Sequence, residues 1–190
     1  MRAEAQTNVR AFLAHATRDR HEGLHRHPLL SQLLASDLSQ AEYAACIRIN
    51  LHFFETIEAN RAARNLHHAF SLMPAVTALR ADIASEGLKD GTHVRQKLAS
   101  SDLEVLGALY VAHGSQFGRQ VIGKAVAQSL PQTARHYFGA PNDPTLWRAL
   151  MGTLQTFAED AQALEEIAMG AKWAFSCFSA FADQSFDLAC

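Results

Sequence analysis

The chain reads as an all-α protein, one bundle of about six to eight helices. Apolar residues recur at helical spacing along most of its length, and β-branched runs that would form strands are missing. Only five Pro and ten Gly interrupt the 190 residues.

The first helix ends before His27-Pro28, because proline removes a backbone donor and restricts the residue before it. The clearest start is Ser39 with Glu42 three residues on, a capping box that satisfies two free N–H groups. Tyr43, Ile47, Asn50 or Leu51, Phe54 and Ile57 follow as one stripe, and this helix should run to about Arg64. Breaks are expected around Pro74, from Gly87 to Thr92, from Ser129 to Pro131 and from Gly139 to Asp143. Ser101 and Glu104 form a second capping box, opening a helix through Leu106, Leu109 and Tyr110 that continues past Gly114. Asp143-Pro144 pairs an N-cap with proline at the first helical position. The stripe after it runs Leu146, Leu150, Leu154, Phe157, Ala161, Leu164, Ala168, and a last helix covers Ala171 to about Phe186.

None of the breaks is long enough for an interdomain linker, so residues 1–190 read as a single domain with no internal repeat. Hydrophobic residues at 48% can fill one core, and a formal net charge of −2 gives no field to gather nucleic acid or an anionic membrane. Three cysteines without a close pair (Cys46, Cys177, Cys190) fit a reducing compartment. No apolar run approaches the roughly 20 residues of a membrane span, and MRAEAQTNVR lacks the apolar segment of a signal peptide. A cytoplasmic location is expected.

Ten histidines are many for this length and direct attention to a metal or cofactor. His21-Glu22-Gly23-Leu24-His25 matches the zinc-peptidase pattern HExxH, with two His on one helical face. Its surroundings disfavour zinc: Gly23 lies inside the motif, His27-Pro28 ends the helix within a turn, and no strand offers an edge for an extended peptide. A di-iron centre is also disfavoured, because Glu-x-x-His occurs at Glu22-His25 without a second copy near Glu55 and Glu58. The second constellation is Tyr110-Val111-Ala112-His113-Gly114-Ser115-Gln116-Phe117-Gly118-Arg119. Gly114 and Gly118 lie one above the other on a helix face and each costs about 1 kcal/mol relative to alanine. They serve either close helix packing or the approach of a ligand to the backbone. A His near one helix end and a glycine face on another suit the two sides of a flat slot for haem.

These segments resemble the haem oxygenase family, in particular its short bacterial, biliverdin-producing members. The resemblance runs from about Val9 to Phe186. Thr17-Arg18-Asp19-Arg20-His21-Glu22-Gly23-Leu24 is similar to the proximal segment, and Tyr43 with Phe53-Phe54 to the long helix after it. Leu109-Tyr110-Val111 with Gly114-Ser115 and Gly118 is similar to the distal motif Gly-Ser-x-x-Gly-Gly, and Trp147 and Ala171 to Phe175 to the closing helices. The resemblance implies His21 as ligand to the haem iron, Gly114 and Gly118 as the distal wall, and Ser115 in a distal water network. Lys172, Arg18 or Arg10 would pair with the haem propionates. It further implies cleavage of haem to biliverdin, carbon monoxide and ferrous iron, with O2 and a ferredoxin or reductase as electron donor and no side chain as general base. Arg119 departs from the pattern where a further Gly is usual, and His113 stands where bacterial members often carry an acidic residue. The alternatives are a haem carrier or sensor of the same fold without turnover, favoured if Arg119 blocks the slot, and a thiaminase-II-like enzyme, which would need a nucleophilic Cys. His25 competes with His21 as ligand. His52, His67, His68, His93 and His136 read as surface or hydrogen-bonded residues, and most late Phe residues as core.

Overall fold

Ser39 accepts a hydrogen bond from the Glu42 amide while the Glu42 carboxylate takes the Ser39 N–H at 2.8 Å, so the reciprocal capping box forms as the sequence predicts. In the computed structural model, which describes residues 7–88 and 101–187, that cap opens α3 (Gln40–Ala63). Before it come α1 (Val9–His25) and the short α2 (Pro28–Gln32), which Pro28 starts at the point where it ends α1. A 3₁₀ turn (His68–Phe70) leads to α4 (Met73–Ser85), and then α5 (Asp102–Gly114), α6 (Gln116–Ser129), α7 (Pro144–Gln155) and α8 (Ala161–Asp187) follow. There is no strand among the described residues, and no helix among them is long and apolar enough to cross a membrane. His93 and Cys190, and most of the break expected from Gly87 to Thr92, lie outside the described residues.

Four expectations need correction. The stripe of α3 is in fact burial on nearly all sides, from Tyr43 and Ala44 to Glu58 and Arg61, because α2, α4, α5 and α8 all pack around it. Pro74 lies in the first turn of α4 and begins a helix there. The helix opened by Ser101 stops at Gly114: the Ser115 hydroxyl donates back to the Ala112 carbonyl at 2.7 Å, and the Gly118 amide turns to the Ser115 carbonyl at 3.2 Å. Such local side-chain bonds compete with the helical ladder and bend it. The late stripe likewise breaks at residues 156–160, where α7 tightens into i→i+3 bonds and Asp160 caps the Ala163 amide at 2.9 Å. The last helix therefore starts at Ala161, ten residues before the expected Ala171.

α5 and α8 cross at the centre of the molecule, and glycine makes the crossing possible. A Cβ on Gly107 would collide with the Ile167 carbonyl oxygen, and one on Gly170 with the Glu104 carbonyl oxygen. Each helix thus presents a glycine to the other's backbone. The crossing holds α8 against α1 on one side and α3 on another, leaving a cleft between α1, α8 and the α5–α6 bend.

Candidate haem site

The cleft has a volume of about 790 Å³, within the usual range for cofactor sites. His21, Arg18, Gly114, Ser115 and Gly118 all line it, although the first two stand on α1 and the others at the α5–α6 bend. Arg10 and His25 line it too. Lys172 does not line it: it sits on α8 with its carbonyl accepting from Ser176 Oγ at 3.0 Å. Leu34, Phe117 and Val121 stand at the cleft with 57%, 48% and 61% of their surface exposed, an apolar border that a flat apolar molecule would cover.

The His21 ring meets Phe175 edge-on at 5.8 Å and the His25 ring edge-on at 4.6 Å. Partial burial, then the neighbouring His25, hold the His21 imidazole below its ordinary pKa, with Glu22 acting weakly the other way. A neutral imidazole keeps the lone pair that a metal needs. Among the described residues, no three His, Cys, Asp or Glu side chains converge as a metal-ion centre would require.

The two glycines of the bend differ from those of the α5–α8 crossing. A Cβ on Gly118 would meet nothing within 4 Å, and one on Gly114 would touch the Trp147 indole at an ordinary 3.6 Å. Neither is needed for close helix packing. The absent side chains leave the backbone open to the cleft. Trp147 backs this wall, packed against Tyr110 at 5.6 Å and Phe117 at 5.2 Å between ring centroids.

Both departures from the motif have clear positions. His113 is buried and points away from the cleft, with Nε2 3.0 Å from the Phe70 carbonyl; burial holds its pKa down. Arg119 lines the cleft, but its guanidinium folds back onto the Pro141 carbonyl at 2.6 Å and Asn142 Oδ1 at 3.4 Å. It also lies over the Tyr137 ring, 5.2 Å from the centroid.

Tyr137 and Phe138 were not foreseen. They come from the connection between α6 and α7 and line the cleft beside the bend. That connection is pinned to α3 and α4: buried Asp82 accepts from the His136 and Tyr137 amides at 2.6 and 3.0 Å, and Tyr43 Oη donates to the Ala134 carbonyl at 2.8 Å. Burial holds the Asp82 carboxyl above its ordinary range against the pull of those two amides. The adjacent aromatics Tyr137-Phe138 between two expected breaks were the available signal. Phe175 and Phe178, expected as core, also face the cleft. Cys46 and Cys177 are buried, with their thiols pushed up to about 12, which leaves no nucleophile of the thiaminase-II kind among the described cysteines.

The same helical architecture occurs in haem oxygenases of known structure. The Neisseria meningitidis haem oxygenase, solved with NO and CO bound, superposes with a TM-score of 0.76 over 96% of this chain and 94% of its own, at 21% identity. The enzyme from Leptospira interrogans gives 0.70 over 93% and 99%, at 15% identity. Haem oxygenase-1 from the cyanobacterium Synechocystis, in complex with haem, gives 0.64 over 93% and 91%, also at 15%. In sequence, a haem oxygenase of Xanthomonas campestris pv. campestris is 35% identical over 106 residues. The chain shares the fold of these haem oxygenases and is similar in sequence to one of them over about half its length. The Xanthomonas match spans 54% of this chain and 64% of that relative, and no family model matches. The all-α expectation and the resemblance read from the two motifs agree with these relatives in fold.

Proposed function

We propose that the chain is a haem oxygenase that takes haem as both cofactor and substrate. One observation carries the reading: His21 and the unencumbered Gly114 and Gly118, far apart in sequence, line one cleft of cofactor size. Bound haem would supply the iron that activates O2 and the porphyrin that is opened to biliverdin, carbon monoxide and ferrous iron. His21 would hold the iron through a neutral imidazole, braced by Phe175. The backbone at Gly114 and Gly118, with no side chain over it, would let the ring sit directly against that wall of the cleft and would limit the space left there for O2. Arg18 and Arg10, both at the cleft, are the cations available to the propionates. Phe53, Phe178 and Val111 give the cleft an apolar lining that excludes bulk water from the reacting carbon. Electrons would come from a ferredoxin or reductase.

The carrier reading was tied to Arg119 obstructing the slot. Its guanidinium is bonded to the 141–142 segment, which removes that reason to prefer it.

Adding haemin to the protein should produce the Soret band of a histidine-ligated complex. Reductant and O2 should then bleach that band and yield biliverdin. A stable band that survives both would make the protein a carrier, and no band would end the haem reading.

A further inference from the structure

Asn50 stands in α3 where the apolar stripe calls for an aliphatic residue, between Ile47 and Phe54. Only 7% of it is exposed, yet it lines the cleft. Its Nδ2 donates to the Cys46 carbonyl at 2.8 Å. A carbonyl accepts only from the nitrogen end of a carboxamide, so this bond fixes which end is which. Oδ1 and one N–H are left over, and among the described residues neither has a partner. Oδ1 is not sealed within the protein either, so it opens on the cleft.

The other polar side chains of the lining are spent or lie elsewhere. The Thr17, Ser31 and Ser115 hydroxyls donate to the carbonyls of Leu13, Pro28 and Ala112 at 2.7, 2.8 and 2.7 Å, and Arg119 is bonded to the Pro141 carbonyl. Arg10, Arg18 and Glu22 all stand on α1. Around Asn50 the cleft is apolar. Phe53 is its neighbour on α3, and Leu30 and Leu33 come from α2 and the residue after it. The Cys46 thiol, 3.8 Å from the Leu29 carbonyl, ties α2 to the same turn of α3.

Haem offers this amide nothing. Apart from two propionates, for which α1 supplies arginines, its edge carries only methyl groups, vinyl groups and meso C–H. Laying that edge over Asn50 strips water from a polar group that then lacks a partner, which is unfavourable. Biliverdin differs. Its two end rings are lactams, each with a carbonyl beside an N–H, and a carboxamide with an acceptor and a donor to spare complements a lactam.

We propose that Asn50 is a binding residue for the ring-opened tetrapyrrole, its Oδ1 accepting the N–H of a lactam end ring on the α3 side of the cleft. The remaining Asn50 N–H can donate to the lactam carbonyl beside it. The inference rests on the haem reading above. It lets one side chain discriminate product from substrate, and it turns the opened edge of the ring toward α3 and away from the arginines of α1.

The test compares two ligands on the whole chain without turnover: ferric haemin, titrated by its Soret band, and iron-free biliverdin, titrated by its visible absorption and induced circular dichroism. Asn50→Leu should weaken biliverdin about three- to tenfold, the worth of one hydrogen bond. It should leave haemin unchanged or bind it more tightly, since leucine suits a methyl and vinyl edge. Asn50→Ala, which adds no bulk, should weaken biliverdin in the same direction and serves if Asn50→Leu fails to fold. A role in packing alone would move both ligands together. Equal weakening of haemin and biliverdin, biliverdin affinity untouched in both variants, or an unsubstituted protein that binds haemin but no biliverdin would overturn the proposal while leaving the haem reading intact. An unsubstituted protein without a Soret complex would overturn both.

Discussion

Glycine's meaning at each position depends on what its missing side chain leaves behind. At Gly118 a Cβ meets nothing within 4 Å, so leucine there should not disturb helix packing and should gain nearly 1 kcal/mol of helix propensity. Gly118→Leu is therefore expected to melt no lower than the parent without haem, yet to lose most biliverdin formation, because the new side chain projects into the cleft. Melts with and without haem beside a biliverdin assay check this; an early-melting variant with normal turnover would return Gly118 to a packing role. The same contrast separates the two cleft histidines. His21 stands braced against Phe175, so His21→Ala should lose the spectrum of histidine-ligated haem and regain it with imidazole, whereas His25→Ala should change it little. Loss in the His25 variant instead would move the ligand one turn along α1. His21, Arg18 and the glycine pair were legible because each belongs to a local motif. Tyr137 was not, since it sits in a connection between helices and no spacing rule brings it to the cleft.

At the scale of helices, the starts were legible and the breaks less so. Ser39, Ser101 and Asp143 cap where their chemistry predicts, because an N-cap needs only a few neighbouring residues. The breaks at Ser115 and at residues 156–160 were hidden because the apolar period continues through both, while local bonds from Ser115 and Asp160 end the ladder. The α5–α8 crossing was also hidden, since Gly107 and Gly170 meet only in three dimensions. Alanine at either should force two backbones apart, and Gly107→Ala or Gly170→Ala is expected to cost about 1–3 kcal/mol in denaturant unfolding. No loss would mean that the crossing is looser than its geometry. A second tie joins α3 to the start of α4: Glu58 accepts from Arg61 at 2.7 and 3.0 Å, Ser71 Oγ at 2.9 Å and the Leu72 amide at 2.8 Å. Burial pushes the Glu58 carboxyl up, but these bonds outweigh it and hold the carboxyl below its ordinary value. Its contribution is thus present above the unfolded carboxylate range near pH 4.5 and is lost as pH falls through the lower folded value. Glu58→Ala should cost about 3 kcal/mol near pH 7 by leaving Arg61 buried and unpaired. Its stability should then fall less than the parent's on acidification below that range. A parallel acid limb in the two proteins would assign the acid sensitivity elsewhere.

For the molecule as a whole, the cleft is where stability and function meet. Its sides come from α1, α2, the α5–α6 bend, the 134–139 connection and α8, and Leu34, Phe117 and Val121 stand exposed at it. A haem seated there would cover apolar surface belonging to α1, α2, α8, the bend and the 134–139 connection at once. Ligand that binds only the folded state adds RT ln(1 + [L]/Kd), about 2.7 kcal/mol at a hundredfold excess over Kd. Haemin should therefore raise the melting temperature in a concentration-dependent way, and His21→Ala should reduce the rise without changing the melt of the haem-free protein. Hydrogen exchange gives this a spatial form. Amides of α1, the bend and the 134–139 connection should slow on haem binding, while those around Glu58 and Arg61 at the far end of α3 should change least, because they face no part of the cleft. Uniform slowing would also follow if the molecule opened only by global unfolding, so the comparison is made under native conditions where local openings dominate. Protection confined to the Glu58 end, with the cleft segments unaltered, would place the bound haem somewhere other than between His21 and Gly118.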